Sequence, residues 1–345
     1  MHLMKTLYTI SIMLLSAAHA VSLQGAGASF PYPLYSKYFA EYKKLRNIEV
    51  NYQSIGSGGG QRQILQQTVD FGASDQPMSD RDLRKALPGN KLLHIPTALG
   101  AVVVTYNLPG VKARLQFDGK TLSSIFMGDI RLWNDAAIAK LNPGVKLPPL
   151  PISVARRADS SGTTYIFTDF LSKISPGFQK KVGRSQEPNW GNYTIGAKGN
   201  DGVTAVVKQT PGSIGYVELL YAEQNHLSYA LIENRAGKFI DASAGSVASA
   251  AKDIKLPPDA RISITNSPSP KGYPISAYTY LLVFQDQSYN KRTIETAKTL
   301  KNMLNWVVQD AQKYNEPMGY AKLPADAQKL ALKIISSIKF GSKTL

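Results

Sequence analysis

Two hydrophobic rhythms alternate along the chain. Short, nearly continuous apolar and β-branched runs read as buried strands at Ile48–Gln53, Leu92–Pro96, Gly100–Tyr106, Ile152–Arg156, Ser213–Val217, Leu227–Ile232 and Tyr278–Phe284. Between them the apolar positions recur at helical spacing. Leu34, Tyr38, Tyr42 and Leu45 share one face of a predicted helix over Leu34–Leu45, and Leu300, Leu304, Val307 and Ala311 share a face of another over Ile294–Ala311. Each stripe reads as core packing rather than as a cofactor-binding surface. Strand and helix patterns in alternation predict an α/β protein. No repeat, low-complexity stretch or Pro/Gly/Ser-rich linker breaks the chain. A two-lobed arrangement would therefore be joined by strands that cross directly, with Gly100–Tyr106 and Ser276–Phe284 the candidates.

The first twenty residues follow a different logic. Lys5, an apolar run from Leu7 to Ala17 and the small-residue pattern Ala18-His19-Ala20 predict an export leader cleaved after Ala20. That run is shorter than the ~20 apolar residues needed to span a bilayer. The sequence contains no cysteine, which excludes disulfides, thiolate metal sites and a lipid anchor on a terminal cysteine. A free periplasmic protein is the expectation. The formal net charge of +16 becomes +15 without Lys5, a balance that favours anionic partners. The lysines are scattered, as on a solvated surface, and an exported protein is not expected to meet nucleic acid.

Four short stretches carry candidate chemistry. Three place glycines and hydroxyl residues just ahead of a helical pattern, where unpaired N–H groups and the positive end of the helix dipole favour an anion. They are Gly25 to Pro31 before the Leu34 helix, Gly56-Ser57-Gly58-Gly59-Gly60 before Ile64 and Leu65, and Arg156 to Thr164 before a helix turning Ile166, Phe167, Phe170 and Ile174 inward. In the third, Ser161 reads as the N-cap, Arg157 can fork onto two oxygens of an oxyanion, and Asp159 can steady that guanidinium. Each stretch also has an ordinary reading: a Gly-rich turn for the first two, a capped helix beside a surface ion pair for the third. The four glycines around Ser57 nevertheless imply a backbone that must approach something closely. The fourth stretch is Asp70 to Asp75, where Asp70 reads as solvent-facing turn chemistry. Asp75 follows a short apolar strand at an expected sheet edge, as a cap, a turn residue or a site group.

Beyond the leader only His94 and His226 remain, neither near a serine or acidic cluster. There is no HExxH, no GxSxG and no Walker A lysine, so hydrolysis by a serine triad or by zinc is not expected.

Together the stretches resemble the periplasmic phosphate-binding proteins of phosphate-specific ABC transporters. The resemblance runs through G-A-G-A-S-F-P at 25–31, V-N-Y-Q-x-I-G-S-G-G-G at 50–60, T-V-D-F-G-A-S-D at 68–75, D-G-K-T-L at 118–122 and L-N-P-G at 141–144. It continues with R-R-A-D-S-S-G-T at 156–163, K-G-N-D-G at 198–202 and P-G-x-I-G-Y-V-E at 211–218. It implies a class II periplasmic-binding-protein fold: two α/β lobes joined by two crossing strands, with lobe I formed by 21–103 and 273–345 and lobe II by 104–272. It implies a non-enzymatic, monomeric binding protein, without cofactor or metal, that captures inorganic phosphate between the lobes and delivers it to the membrane permease subunits. The family's phosphate ligands carry over to Ser29, Phe30 (through its backbone N–H), Ser57, Asp75, Arg157, Ser161, Gly162 and Thr163, with Asp159 as the acidic partner of the arginine. Ser29 stands where some members have threonine, and Ser160 where some have glycine. Within this reading Asp75 accepts a proton from phosphate and excludes sulfate, which has none to give. The competing classes are an exported phosphatase, a basic surface or adhesion protein, and a binder of sulfate or molybdate.

Overall fold

The computed structural model describes residues 21–345, and the expected leader with its cleavage site lies outside them. One nine-stranded sheet organises the chain. Its strands are β1 (Ser22–Gly27), β2 (Glu49–Ser54), β3 (Phe71–Ser74), β4 (Leu92–Tyr106), β5 (Ser153–Arg157), β6 (Thr194–Ala197), β7 (Ser213–Glu218), β8 (Ser228–Tyr229) and β9 (Ser276–Phe284). They lie in the order β2-β1-β3-β9-β4-β7-β5-β6, with β8 also paired to the end of β4. β1 runs parallel to β2 and β3, and β5 runs parallel to β6 and β7, so each end of the sheet is a parallel α/β unit. Between them lie the antiparallel strands β9 and β4, buried along almost their whole length. That explains their unbroken apolar character, since a strand covered on both faces has no solvent side to mark with polar residues.

β4 corrects the sequence reading. Leu92–Pro96 and Gly100–Tyr106 are one strand, not two. Pro96 lacks an N–H and would interrupt a ladder, but it sits where the β9 pairing shifts register between Thr279 and Tyr280, skipping Thr97. The displaced polar groups find side chains: the Thr97 hydroxyl bonds the Tyr35 hydroxyl (2.7 Å), and its carbonyl accepts from Gln312 Nε2 (2.8 Å). Residues Leu92 to Ala101 pair with β9, while Val102 to Tyr106 pair with β7. One strand therefore serves both halves of the sheet, and the change of partner falls between Ala101 and Val102.

The helices pack on these halves through the predicted stripes, with local differences. α1 (Tyr32–Arg46) buries Leu34, Tyr38 and Tyr42, but Leu45 is 57% exposed because the left-handed cap at Asn47 ends the helix beside it. α2 (Ser57–Leu65), α3 (Gly162–Ile174) and α4 (Gly199–Gln209) follow β2, β5 and β6 directly. α5 (Ile294–Val308) stops before Ala311, which is buried in a following 3-10 turn. The run Leu227–Ile232 divides into β8 and a short strand at Leu231–Glu233. Asp70 is not a solvent-facing turn residue: it accepts from the Gln24 N–H at 2.6 Å and pairs with Arg292 at 2.7 Å, tying β1 to the segment ahead of α5.

Candidate anion-binding site

Parallel strands with helices after them deliver their carboxyl ends, and the following helix N-termini, to one crevice. β1, β2, β3, β5 and β6 all do so here. One wall of the crevice comes from the first three. After β1 the chain passes Ser29 and Phe30 into α1; after β2 it passes Gly56 into α2 with Ser57 at its first turn; after β3 it reaches Asp75. Ser29, Phe30, Ser57 and Asp75 are all buried. The Ser29 carbonyl accepts from the Tyr221 hydroxyl and the Phe30 carbonyl from the Tyr320 hydroxyl, each at 2.7 Å. These two bonds hold the loop so that the Phe30 N–H, which has no acceptor among the described residues, heads the helix that follows. Asp75 lies at the carboxyl end of an interior strand, not at a lateral sheet edge as expected. Its Oδ1 accepts from Thr279 Oγ1 (2.8 Å) and its Oδ2 from Ser57 Oγ (3.2 Å), while its own N–H donates to Ser57 Oγ (3.2 Å).

The opposite wall comes from β5, α3 and the start of α4. Ser161 is the N-cap of α3, accepting from the Thr164 N–H at 3.0 Å. That leaves the Gly162 and Thr163 N–H groups at the helix entrance without acceptors among the described residues. The Arg157 side chain, 1% exposed, forks onto Asp159, with Nε to Oδ1 at 2.7 Å and Nη2 to Oδ2 at 2.5 Å. Its Nη1 reaches Thr163 Oγ1 at 3.3 Å. Asp159 Oδ1 also accepts from the Gly199 N–H at 3.0 Å, so the start of α4 holds the carboxylate that holds the guanidinium.

The walls touch. The Gly58 N–H donates to the Ser160 carbonyl at 3.0 Å. A Cβ on Gly58 would lie 2.2 Å from Ser160 Oγ, and one on Gly56 would lie 2.4 Å from Asp159 Oδ2. Gly56 also has φ +86°, a conformation that favours glycine. The glycines flanking Ser57 thus have a specific cause: the opposite loop is what their backbone approaches. Ser160 fits this approach and bonds Gln186 Oε1 at 2.8 Å.

Electrostatically the walls differ. Burial pushes the Asp75 carboxyl up to about 7, against the opposing pull of its bonds from Thr279 and Ser57 and the charge of Arg157. For Asp159 burial also acts upward, but the Arg157 hydrogen bond and charge prevail and hold it below the usual carboxylate range. His94 is buried away from the site, its Nε2 accepting from the Met78 N–H at 3.0 Å, and burial holds it at about 3, neutral. Among the described residues no group of three or more His, Cys, Asp or Glu is arranged to hold a metal. What the crevice offers is hydroxyls, backbone N–H groups, one guanidinium and one carboxyl that readily keeps a proton.

All eight residues proposed from the sequence, with Asp159, fall at the carboxyl ends of these parallel strands and the helix starts that follow. Four partners were not singled out: Asn200, which bonds both Ser29 and Thr163; Thr279, which bonds Asp75; and Tyr320 and Tyr221, which brace the Ser29–Phe30 loop. For Asn200 a signal existed, since K-G-N-D-G has the same Gly-then-helix form as the other three loops. Thr279 sits inside an apolar strand run and carries no comparable mark.

Comparisons with known proteins bear on the family and the fold. Residues 16–311 match the PBP superfamily domain. The chain is 40% identical over 343 residues to the phosphate-binding protein PstS of Haemophilus influenzae, covering 99% of this chain and 98% of that one. It is 40% identical over 316 residues to the phosphate-binding protein PstS of Xylella fastidiosa, covering 90% and 84%. Among solved structures, a phosphate-binding protein from Stenotrophomonas maltophilia superposes with a TM-score of 0.71 at 18% identity, covering 91% of this chain and 94% of that one, a likeness of fold.

Proposed function

Because the chain belongs to the PstS family of phosphate-binding proteins within the PBP superfamily, we propose that it captures inorganic phosphate in the crevice and passes it to an ABC-type importer. It is a binding protein, not an enzyme: its relatives are named for binding. The periplasm, with the leader removed after Ala20, is the compartment that suits such a role. In this reading residues 21–103 with 273–345 form one lobe and 104–272 the other, and they close on the ligand as a monomer that docks on the permease subunits.

A phosphate sealed from water exchanges its hydration for about a dozen direct hydrogen bonds, two or three per oxygen. Ser29, the Phe30 N–H, Ser57, Ser161 and the Gly162 and Thr163 groups supply neutral donors, and the helix N-termini add a favourable potential. Arg157, steadied by Asp159, supplies the single full positive charge and forks onto two oxygens. The observation that carries the reading is Asp75. The Asp75 carboxyl, raised by burial to about 7, once ionised repels a bare oxyanion yet accepts a hydrogen bond from an anion that has a proton to share. Phosphate has one near neutrality and sulfate does not. Titration calorimetry of the mature chain at neutral pH should give a strong one-to-one phosphate signal and none for sulfate at the same concentration. No phosphate heat would overturn the function, and equal sulfate binding would overturn the role of Asp75.

A further inference from the structure

The crevice holds one side chain that belongs to neither wall's ligand set and touches both. Asn200, the second residue of α4, is fully buried. Its Nδ2 donates to Ser29 Oγ at 2.8 Å and to Thr163 Oγ1 at 3.1 Å. Its Oδ1 accepts from the Glu218 backbone N–H at 2.9 Å. That last bond fixes the amide orientation, because a backbone donor has to face the oxygen and not the NH2. Both N–H bonds of the amide are therefore committed to hydroxyl oxygens.

A hydroxyl has one proton to give and two lone pairs to fill. Ser29 Oγ receives the Asn200 side chain and also the Asn200 backbone N–H, at 3.2 Å. Thr163 Oγ1 receives the Asn200 side chain and also Arg157 Nη1, at 3.3 Å. In both, the two acceptor positions are filled by protein N–H groups, and neither hydroxyl donates to an acceptor among the described residues, so its proton is left for a ligand. We infer that Asn200 is a positioning residue that makes Ser29 and Thr163 obligate donors. This deepens the phosphate-capture reading and rests on it. The consequence reaches the ligand: hydroxyls that only donate cannot accept the proton phosphate carries, which turns its protonated oxygen toward Asp75. One neutral amide, whose bonds all go to protein groups, thereby sets where the anion's proton goes.

The test is a cycle read as phosphate Kd by calorimetry. Asn200→Asp and Asn200→Ala are each made in the natural chain and in a Ser29→Ala/Thr163→Val background. A carboxylate at 200 keeps the shape and the Glu218 N–H bond but gives no proton, so the two hydroxyls turn toward it and away from the anion. Asn200→Asp should weaken binding on the order of 100-fold and Asn200→Ala about 10-fold, as expected for hydrogen bonds to a charged group. In the double background both losses should shrink to within about 3-fold, because the groups through which Asn200 acts are gone. A merely structural role predicts the opposite order, with Ala worse than Asp, and that result overturns the inference. So does an Asp loss undiminished in the double background, which would mean simple charge repulsion. If the Asp variant does not fold by thermal melt, the Ala arm decides alone: an undiminished loss there also overturns it. Failure of the natural chain to bind phosphate would overturn the function itself, and this inference with it.

Discussion

The two walls of the crevice solve different problems with the same backbone device. Both present helix N-termini at the ends of parallel strands, and both supply serine or threonine hydroxyls. On the β1–β3 wall the ionisable group is a carboxyl, Asp75, whose burial favours the protonated form. On the β5–α3 wall it is a guanidinium, Arg157, neutralised by a carboxylate held firmly ionised. The cationic wall attracts any oxyanion. On the proposed reading the acidic wall, once Asp75 is ionised, admits only one that brings a proton. Affinity and selectivity are thereby placed on separate surfaces, which makes them separable by mutation.

The sharpest break is at Asp75. Asp75→Asn replaces an acceptor by an amide that can donate, so sulfate should gain most and phosphate change least. Sites built around a ligand's proton reject the analogue without it by roughly 10⁴–10⁵, and the phosphate-to-sulfate affinity ratio should collapse by about that factor. An unchanged ratio in competition calorimetry would remove Asp75 from selection. The same variant has a signature without ligand. Because burial raises the folded carboxyl to about 7 from its ordinary 3.8, the folded chain holds a proton that the unfolded chain releases. The stability from that proton is present in full below about pH 4 and is lost as pH rises through about 7, on the order of 4 kcal/mol. Urea midpoints at pH 5 and 8 should therefore differ less in Asp75→Asn than in the natural chain.

Arg157→Met attacks the other wall and should act without regard to the ligand's proton. It removes the guanidinium proposed to meet the anion and leaves Asp159 ionised beside it, with the Gly199 N–H as its remaining partner from another residue. Truncating one partner of a buried, hydrogen-bonded charge pair across a binding interface typically costs about 2–5 kcal/mol, so phosphate affinity should fall by about 10² to 10³. Adding Asp159→Asn should restore part of it. A shift in the phosphate-to-sulfate ratio comparable to that from Asp75→Asn would show that the walls do not divide the task.

How much of this was legible follows from where each signal resides. The backbone half of the site was readable because glycine, a hydroxyl and a helical pattern are adjacent in the chain, as in Gly56-Ser57-Gly58 and Ser161-Gly162-Thr163. The two central strands β4 and β9 were readable because burial on both faces removes their polar alternation. What stayed hidden were partners defined only by folding. Thr279 meets Asp75 from 204 positions away; Asn200 meets Ser29 from 171, and its loop form was readable but not its partner. Each is a single polar residue whose local surroundings satisfy an ordinary strand or helix start. The bulge at Thr97 was equally silent, because Pro96 looks like a terminator until a paired strand shifts around it. Leu45 failed for a local reason: periodicity extends a stripe past the point where Asn47 stops the helix.

The smallest effect tests whether the walls must meet at all. Gly58 lies in the first turn of α2, where alanine favours helix by about 1 kcal/mol. In the closed arrangement its Cβ would come within 2.2 Å of Ser160 Oγ and 2.4 Å of Ser160 Cβ, so the opposing loop would have to move. Overpacking of this kind costs roughly 1–3 kcal/mol. If the lobes part when phosphate leaves, the clash is absent from the open form while the helix preference remains. Gly58→Ala should then leave the unfolding midpoint without phosphate unchanged or slightly raised, yet weaken phosphate and any other bound oxyanion about 10-fold. Small-angle scattering should show less contraction on adding phosphate than in the natural chain. A rigid, permanently closed molecule makes the opposite forecast: the clash would be felt with and without ligand, lowering the midpoint in both states and leaving the phosphate-induced shift between them intact.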